Sequence, residues 1–388
     1  MLRIGQVKEV ELRWLLIDFF RGALHDDTRA PGVVFYPNTD RAAIKLIYKD
    51  RDLVRAIAGP SLTRDTLEEL RRRVDSEIIS SAGRKIGVEV LLSEKPVEGY
   101  FRHKDSFQFM PLPADAPRPD LSLSGLYPRH PFLLEVSFEV SSNDVLSGLR
   151  KLWSYLKLEL VLNALLDGSV SCTSTSTRRY RWVRSSDEQS KGGSASVFVQ
   201  EGYRCPGFPR ERSEFSPAGS APKLQKIEPS KYYQLIWAPS MSLGLPSDFS
   251  IKIDSFYALA RNERAAWLRA CHWLRHSSVA VWDSRPAAFL ALVTAVEALM
   301  ARGDRGKRRE FESFIDRYAP GRGLQKDRAR FYRIRSELVH GDDLRYEDGD
   351  GGMISITPRI SEGLREFEAM RGVAKSVIVN WLEDAARP

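Results

Sequence analysis

The stretch PAAFLALVTAVEALM, residues 286–300, carries apolar side chains around most of the circumference of a helix. Asp283 and Ser284 precede it and Pro286 falls in its first turn, which is the usual chemistry of a helix start. A helix that is apolar on almost every side is stable only when other elements enclose it. The stretch therefore predicts the central helix of a bundle.

Helical patterns continue on both sides of this stretch. Together they predict five helices, over residues 255–279, 285–301, 308–318, 324–340 and 358–384. Pro320-Gly321 follows the third segment and Thr357-Pro358 opens the fifth, as expected where helices end and begin. We therefore predict an all-α bundle over residues 254–388.

The preceding part of the chain mixes strand and helix patterns. Runs rich in Val, Leu and Phe with partial alternation predict strands over 85–94 and 131–141. Apolar residues at helical spacing predict helices over 63–82 and 142–168. The fold class is therefore α+β, with a mixed α/β domain over residues 1–183 ahead of the helical bundle.

The two N-terminal helices carry more detailed expectations. Thr63 is the expected N-cap of the first helix, and Ser142 or Asn143 opens the second. One apolar stripe of the second helix is predicted to face the core, and it consists of Leu146, Leu149, Trp153, Leu156 and Leu160.

Between the two domains, residues 184–253 are rich in Ser, Gly, Pro and charge, the composition of loops. A short aromatic segment within them, VFVQEGY at 197–203, predicts one more strand. We expect this segment to pack on the N-terminal domain. Its basic residues fit a solvated loop better than a nucleic-acid surface.

Composition sets few limits on function. The 388 residues carry a net charge of +8 and the pI is near 9.3, which permits an anionic partner but is equally typical of a solvated surface. Three widely spaced cysteines suggest neither a disulfide framework nor a zinc site, and they fit a reducing cytoplasm. Charges interrupt the first apolar residues, so we expect a folded N-terminal segment, no signal peptide and no membrane span.

The segment RFYRIRSELVHGDD, residues 330–343, places Arg335 and His340 five residues apart. A basic residue in the last turn with a following Gly is a common helix end, whereas the same pair could form an RNA-cutting site. The spacing alone does not decide, because Arg269 and His276 form a similar R-x6-H pair. Five residues turn an ideal helix by about 500°, so Arg335 and His340 project about 140° apart. They converge only if the helix ends or distorts near His340, or if a second copy of the chain contributes.

The segment FYRIRSELVHGDD resembles the helix that carries the R-x4-6-H motif of HEPN domains, especially the Apea-like group. The preceding stretch at 266–300, with its FLALVTAVEAL helix, is similar to the same family, and the resemblance covers roughly residues 255–384. It implies a HEPN-type helical bundle and a metal-independent endoribonuclease that needs no cofactor. It also implies a homodimer in which two Arg–His motifs meet at the interface.

Under this resemblance, the catalytic residues are His340 as general base, Arg335 at the developing phosphate charge, and Ser336 at the polar position after the motif arginine. Serine departs from the Asn, Asp or His of many family members, which weakens the inference for that position. Glu297 matches an acidic residue of the family and orients Arg335 or His340, or else forms a structural salt bridge. Tyr332 stacks on a base or packs in the core, and packing is the more ordinary outcome.

Basic residues surround this motif and are candidates for phosphate contacts. A solvated surface explains them equally well; they are Arg305, Lys307, Arg308, Arg309, Lys326, Arg328, Arg330 and Arg333. His272 and His276 have the spacing of two metal ligands on one helical face. No third ligand accompanies them, so we predict no metal site.

Three functions stay open at this point. The first is a cytoplasmic HEPN-type ribonuclease acting on RNA, a class whose members often serve as toxins or anti-phage effectors. The second is a catalytically silent HEPN module that binds RNA or assembles with a partner, because a fold does not fix a function. The third is a purely structural helical dimer, which would be indifferent to RNA at any salt concentration.

Overall fold

The structure is a computed structural model, and it describes most of the chain in separate ranges. These are residues 8–21, 24–27, 32–35, 44–49, 52–59, 62–93, 95–114, 116, 130–166, 173–174, 181–185, 197–201, 209–233, 242–281, 284–300, 307–321, 325–340 and 358–387. The chain forms two compact units. Unit 1 comprises Met1–Gly87, Val136–Ser154 and Glu211–Phe215, and unit 2 comprises Val88–Glu135, Tyr155–Arg210 and Ser216–Pro388. The boundaries predicted at 183/184 and 253/254 follow composition and stay predictions.

The structure contains both helices and strands. The α-helices are α1 Glu9–Phe20, α2 Arg64–Arg73, α3 Asp144–Leu165, α4 Pro229–Tyr232, α5 Phe249–Ala258, α6 Arg261–Ala280, α7 Arg285–Glu297, α8 Lys307–Tyr318, α9 Gln325–His340 and α10 Pro358–Ala385. The strands are β1 Leu24–Asp27, β2 Gly32–Phe35, β3 Ile44–Lys49, β4 Asp52–Ala58, β5 Arg84–Ser93, β6 Phe101–His103, β7 Phe107–Pro111, β8 His130–Glu139, β9 Thr173–Ser174, β10 Arg181–Ser185, β11 Val197–Glu201, β12 Glu211–Arg212, β13 Lys226–Ile227 and β14 Leu245–Pro246. The α+β class is confirmed, and among the described residues from α5 onward the regular elements are helices.

Unit 1 contains a four-stranded antiparallel sheet that the sequence did not predict. Its order is β1-β2-β3-β4, and each strand pairs with its neighbour along the chain. A core of buried apolar side chains joins α1, β3 and α2: Leu12, Leu15, Leu16, Phe20, Ile44, Leu46, Leu70, Val74, Ile78 and Leu146. The buried Arg150 links α3 to α1 and to the turn that follows α2. Its guanidinium donates to Glu11 Oε2 and to the Ile78 carbonyl oxygen, both at 2.7 Å.

Local capping signals near α2 and α3 are confirmed. The Thr63 hydroxyl accepts from the Thr66 backbone N–H at 3.2 Å, and the helix that follows continues as a π-helical turn over Val74–Ile79. Asn143 Oδ1 accepts from the backbone N–H groups of Val145 and Leu146 at the start of α3. These bonds satisfy donors that every helix leaves unpaired in its first turn.

The strands predicted over 85–94 and 131–141 are confirmed as β5 and β8. They belong to a sheet of order β12-β5-β8-β7-β6, in which β9 also pairs with β5. The predicted strand at 197–203 is confirmed as β11, which pairs with β10. The division between the two units falls within β5 and β8 themselves.

The stripe predicted for α3 is only partly correct. Leu146 is fully buried, but its four partners are half-buried: Leu149, Trp153, Leu156 and Leu160. The enclosed positions near the end of α3 are instead Leu158, Glu159, Val161, Leu162 and Leu165. Glu159 is tolerated there because Arg275 of α6 lies 2.7 Å from its carboxylate.

The single helix predicted over 255–279 is wrong, because the structure has α5 and α6 in its place. Leu259 and Ala260 adopt extended backbone angles between them. Two side chains stabilise this break: Glu263 accepts from the Ala260 N–H at 3.2 Å, and Arg264 donates to the carbonyls of Tyr257 and Leu259. Apolar residues keep helical spacing on both sides of the break, so the sequence pattern alone predicts one continuous helix.

Helix α7 is the helix that the sequence predicted to lie at the centre of the bundle. Its Ser284 cap accepts from the Ala287 N–H at 3.3 Å, and α6, α9 and α10 all pack against it. The buried side chains of α7 cover somewhat more than half of the helix circumference, and they are Ala288, Phe289, Ala291, Leu292, Val293, Ala295 and Val296. On the remaining side Ala287 is exposed, and Leu290, Thr294 and Glu297 are half-buried. Nearby, the Trp267 indole donates to the Ile378 carbonyl at 3.0 Å and links α6 to α10. Within the described ranges, no helix has the length and apolar character needed to cross a bilayer.

Leu292 provides a direct test of this arrangement. Leu292→Ala removes a fully buried side chain and leaves a cavity, so we expect it to lower the free energy of unfolding by about 2–5 kcal/mol. The matched control is Leu364→Ala, whose side chain is 39% exposed and should cost below about 1 kcal/mol. Urea unfolding followed by circular dichroism measures both. Equal losses in the two variants would contradict a central α7.

Candidate functional site

The predicted catalytic residues lie on the last turns of α9. Arg335 is half-buried, with 31% of its side chain exposed, whereas His340 is the exposed final residue of the helix. Both belong to one continuous α-helix, so they project about 140° apart. The helix is not distorted before His340, and the described chain does not turn the two side chains onto one face.

Arg335 is held by neighbours from two helices. Its Nε lies 3.6 Å from Glu297 Oε1, at the last residue of α7. Its guanidinium carbon lies 5.8 Å from the centroid of the Tyr332 ring, one turn earlier on α9. The ion pair is longer than a hydrogen bond, and both side chains keep 31% of their surface exposed. Glu297 therefore lies beside Arg335, which fits both interpretations of the sequence, an orienting residue and a structural salt bridge.

Tyr332 and Ser336 complete the neighbourhood of Arg335. The Tyr332 ring lies 5.7 Å from the ring of Phe311 on α8, which is fully buried. Tyr332 therefore packs against the bundle, as the more ordinary interpretation predicted. Ser336 is half-buried, and among the described residues no hydrogen bond of its hydroxyl is seen.

Most of the described basic side chains around the motif are already ion-paired within the chain. Each pair joins one predicted phosphate-binding arginine to a carboxylate: Arg308 to Glu312 at 2.8 Å, Arg328 to Asp316, Arg330 to Glu366, and Arg333 to Glu337 at 3.4 Å. Arg309 is exposed and has no ion pair within the described ranges. Arg305 lies outside the described residues, as do the side chains of Lys307 and Lys326. The free positive charge of this region is thus smaller than the sequence suggests.

A second group of side chains is brought together on α6. Arg269, His272, Trp273 and His276 are exposed along one face over two helical turns. Seven residues turn a helix by about 700°, so Arg269 and His276 project within about 20° of each other. The R-x6-H pair therefore shares a face, unlike Arg335 and His340. The sequence contained this signal in the i, i+3, i+4, i+7 spacing of the four residues, although the sequence alone predicted no shared function for them.

The histidines of α6 flank an exposed indole. The Trp273 ring centroid lies 5.8 Å from that of His272 and 5.6 Å from that of His276, both in near-perpendicular geometry. Partial burial lowers the pKa of His272, and His276 and Arg275 lower it further. Within the described ranges, no group of three or more His, Cys, Asp or Glu side chains is placed to share a metal ion.

Comparisons with models of protein families, with curated proteins and with solved structures find no match for this chain. The resemblance to HEPN domains therefore depends on the residues quoted from the sequence.

The Arg335–Glu297 pair should position the guanidinium without contributing much to stability. Half-exposed ion pairs are worth about 0–1 kcal/mol, so Glu297→Gln should lower the free energy of unfolding by no more than that. Phe311→Ala, which empties the fully buried site under Tyr332, should cost about 3–5 kcal/mol. Glu310→Gln on the exposed face of α8 is the charge-matched control. A loss at Glu297 as large as that at Phe311 would make the pair a structural element of the core.

Proposed function

We propose that this chain is a HEPN-type, metal-independent endoribonuclease that acts in the cytoplasm. The observation that carries the proposal is the position of Arg335: Glu297 and Tyr332 lie against it, but 31% of its side chain stays exposed. The same helix ends at His340, the only other member of the R-x4-H motif. A charged group held in place before substrate arrives is what stabilisation of a transition state requires.

The chemistry follows from the two side chains. A neutral imidazole at His340 removes the proton of a ribose 2′-OH. The 2′-oxygen attacks the adjacent phosphorus, the bond from phosphorus to the 5′-oxygen breaks, and that oxygen takes up a proton. The products are a 2′,3′-cyclic phosphate and a 5′-hydroxyl. Arg335 offers paired N–H donors to the phosphate oxygens as negative charge builds on them. DNA has no 2′-OH and is not a substrate.

The divergence of Arg335 and His340 on one helix supports a site built by two copies of the chain. In a homodimer through the helical domain, Arg335 of one protomer meets the partner's His340. Ser336, next to the arginine, lies where its hydroxyl can donate to the same phosphate. Arg309 is exposed for a phosphate contact further along the strand. The exposed pairs Arg308–Glu312 and Arg333–Glu337 are weak enough to be exchanged for phosphate.

Two observations favour the alternative of a catalytically silent HEPN module that binds RNA or assembles with a partner. Arg335–Glu297 is also an adequate structural ion pair, and four of the predicted phosphate-binding arginines already have carboxylate partners. Such a module needs neither Arg335 nor His340 for its function. A role as a toxin or anti-phage effector extends only the catalytic proposal.

The test is an RNA cleavage assay in EDTA with matched variants. We expect the wild type to cut single-stranded RNA to ends carrying 2′,3′-cyclic phosphate, because the mechanism needs no metal. His340→Ala and Arg335→Ala should each lose at least about 100-fold in rate. Arg317→Ala removes an exposed arginine of α8 that pairs with Asp384 and should retain full activity. Mass spectrometry of the fragment ends and circular dichroism of each variant complete the measurement.

Mixing the two inactive variants separates a composite site from a site within one chain. A mixed dimer of His340→Ala and Arg335→Ala chains holds one intact Arg335 and one intact His340 on different protomers. Recovery of activity on mixing supports the composite site, and no recovery places the pair within a chain. Equal cutting by all variants would assign the activity to another centre. No cutting of total RNA, tRNA or rRNA by the wild type would favour the silent module.

A further inference from the structure

The exposed face of α6 has a composition that its packing does not explain. The opposite side of the helix is buried through Trp267, Ala270, Cys271 and Leu274, and it supplies the contacts with α7 and α10. The outer side presents one cation, two imidazoles and an indole, and we call it the α6 face: Arg269, His272, Trp273 and His276. Trp267 is fully buried and hydrogen-bonded, but Trp273 keeps 36% of its surface exposed.

The exposed charge on α6 is positive, which favours an anionic ligand. The helix has four arginines and a single acidic residue, Glu263, which is engaged with the backbone at its first turn. Arg264 donates to backbone carbonyls and Arg275 lies against Glu159. Arg269 is exposed and has no ion pair among the described residues. Partial burial, followed by the charges of His276 and Arg275, lowers the pKa of His272. This favours the uncharged imidazole, which can both donate and accept hydrogen bonds.

The aromatic part of the face selects for an unpaired base. Both imidazoles approach the indole in near-perpendicular geometry, so the three rings cluster on one exposed face of the helix, which they share with Arg269. A nucleobase stacks on such a ring whatever its identity, and a neighbouring cation holds the phosphate. In a duplex the bases are stacked on one another and are not available. Two helical turns span about 10 Å, which is room for one or two nucleotides.

We propose that the α6 face is a binding site for single-stranded RNA, in which a base stacks on Trp273 and Arg269 contacts the adjacent phosphate. His272 and His276 frame the indole and hydrogen-bond to the base or the ribose. The choice of RNA as ligand rests on the proposed function, but binding at this face requires neither Arg335 nor His340. The face would hold a strand while cleavage takes place elsewhere on the same bundle.

The experiment measures binding of a fluorescein-labelled 2′-O-methyl oligoadenylate, which cannot be cut by 2′-OH attack. With the full chain, Trp273→Ala should weaken binding about tenfold, equivalent to about 1.4 kcal/mol. Trp273→Phe keeps a ring and should lose about threefold or less. Arg269→Ala should weaken binding and reduce the slope of log affinity against log salt by about 0.7. Ile251→Ala, at a position 67% exposed on α5, and Arg317→Ala are the matched controls and should bind as the wild type does.

Several outcomes would overturn the inference. These are wild-type protein that does not bind the oligonucleotide, Trp273→Ala that binds equally well, or controls that lose as much as the α6 variants. An equal loss for a blunt-ended duplex would also exclude base stacking. Quenching of tryptophan fluorescence by the RNA, smaller in Trp273→Phe than in the wild type, gives a second readout in a conservative variant.

The two proposals fail separately. If the α6 variants bind RNA normally while the wild type still cuts RNA in EDTA, the proposed binding site on the α6 face is wrong and the proposed ribonuclease activity is supported. In the opposite case, His340→Ala binds RNA as well as the wild type does, Trp273→Ala binds poorly, and no variant cuts RNA. That result would support the proposed RNA site on the α6 face and contradict the proposed ribonuclease activity.

Discussion

The burial of α7 is the constraint on which the helical part of this protein depends. More than half of its circumference is buried and apolar, and exposing that side to water would cost a large hydrophobic free energy. Helices α6, α9 and α10 must therefore all pack against it. Each of the three then keeps one outer face, and it is on two of these outer faces, of α6 and α9, that the chemically distinctive residues lie.

The end of α7 also determines the setting of Arg335. Glu297 is the last residue of α7, at the point where the helix leaves the apolar core and a carboxylate can keep contact with water. Through its ion pair with Arg335, the end of the buried helix α7 positions a partly exposed arginine on α9. Tyr332, packed against the buried Phe311, supports the same guanidinium from the side of α8. The precision of the proposed catalytic arginine thus comes from residues whose own places are fixed by the core.

Charge behaves differently in the sequence and in the folded chain. A run of arginines between 302 and 333 suggests an extended phosphate-binding surface, yet the described pairs with Glu312, Asp316, Glu366 and Glu337 neutralise much of it. On α6 the reverse holds. Its arginines look ordinary in sequence, but the structure commits two of them to backbone and carboxylate partners and leaves Arg269 exposed beside an aromatic surface.

The sequence by itself determined what depends on neighbouring residues: the caps at Thr63, Asn143 and Ser284, the apolar all-round pattern of α7, and the strands β5, β8 and β11. These signals act over a few residues, so they can be read locally. Only the tertiary structure decided the break between α5 and α6, the sheet of β1–β4, the pairing of Arg330 with Glu366 and of Arg335 with Glu297, and the shared exposed face of α6. The ion pairs depend on side chains that are distant in sequence, and the core decides which face of α6 stays uncovered. The break between α5 and α6 depends on local hydrogen bonds of Glu263 and Arg264, which apolar periodicity does not encode.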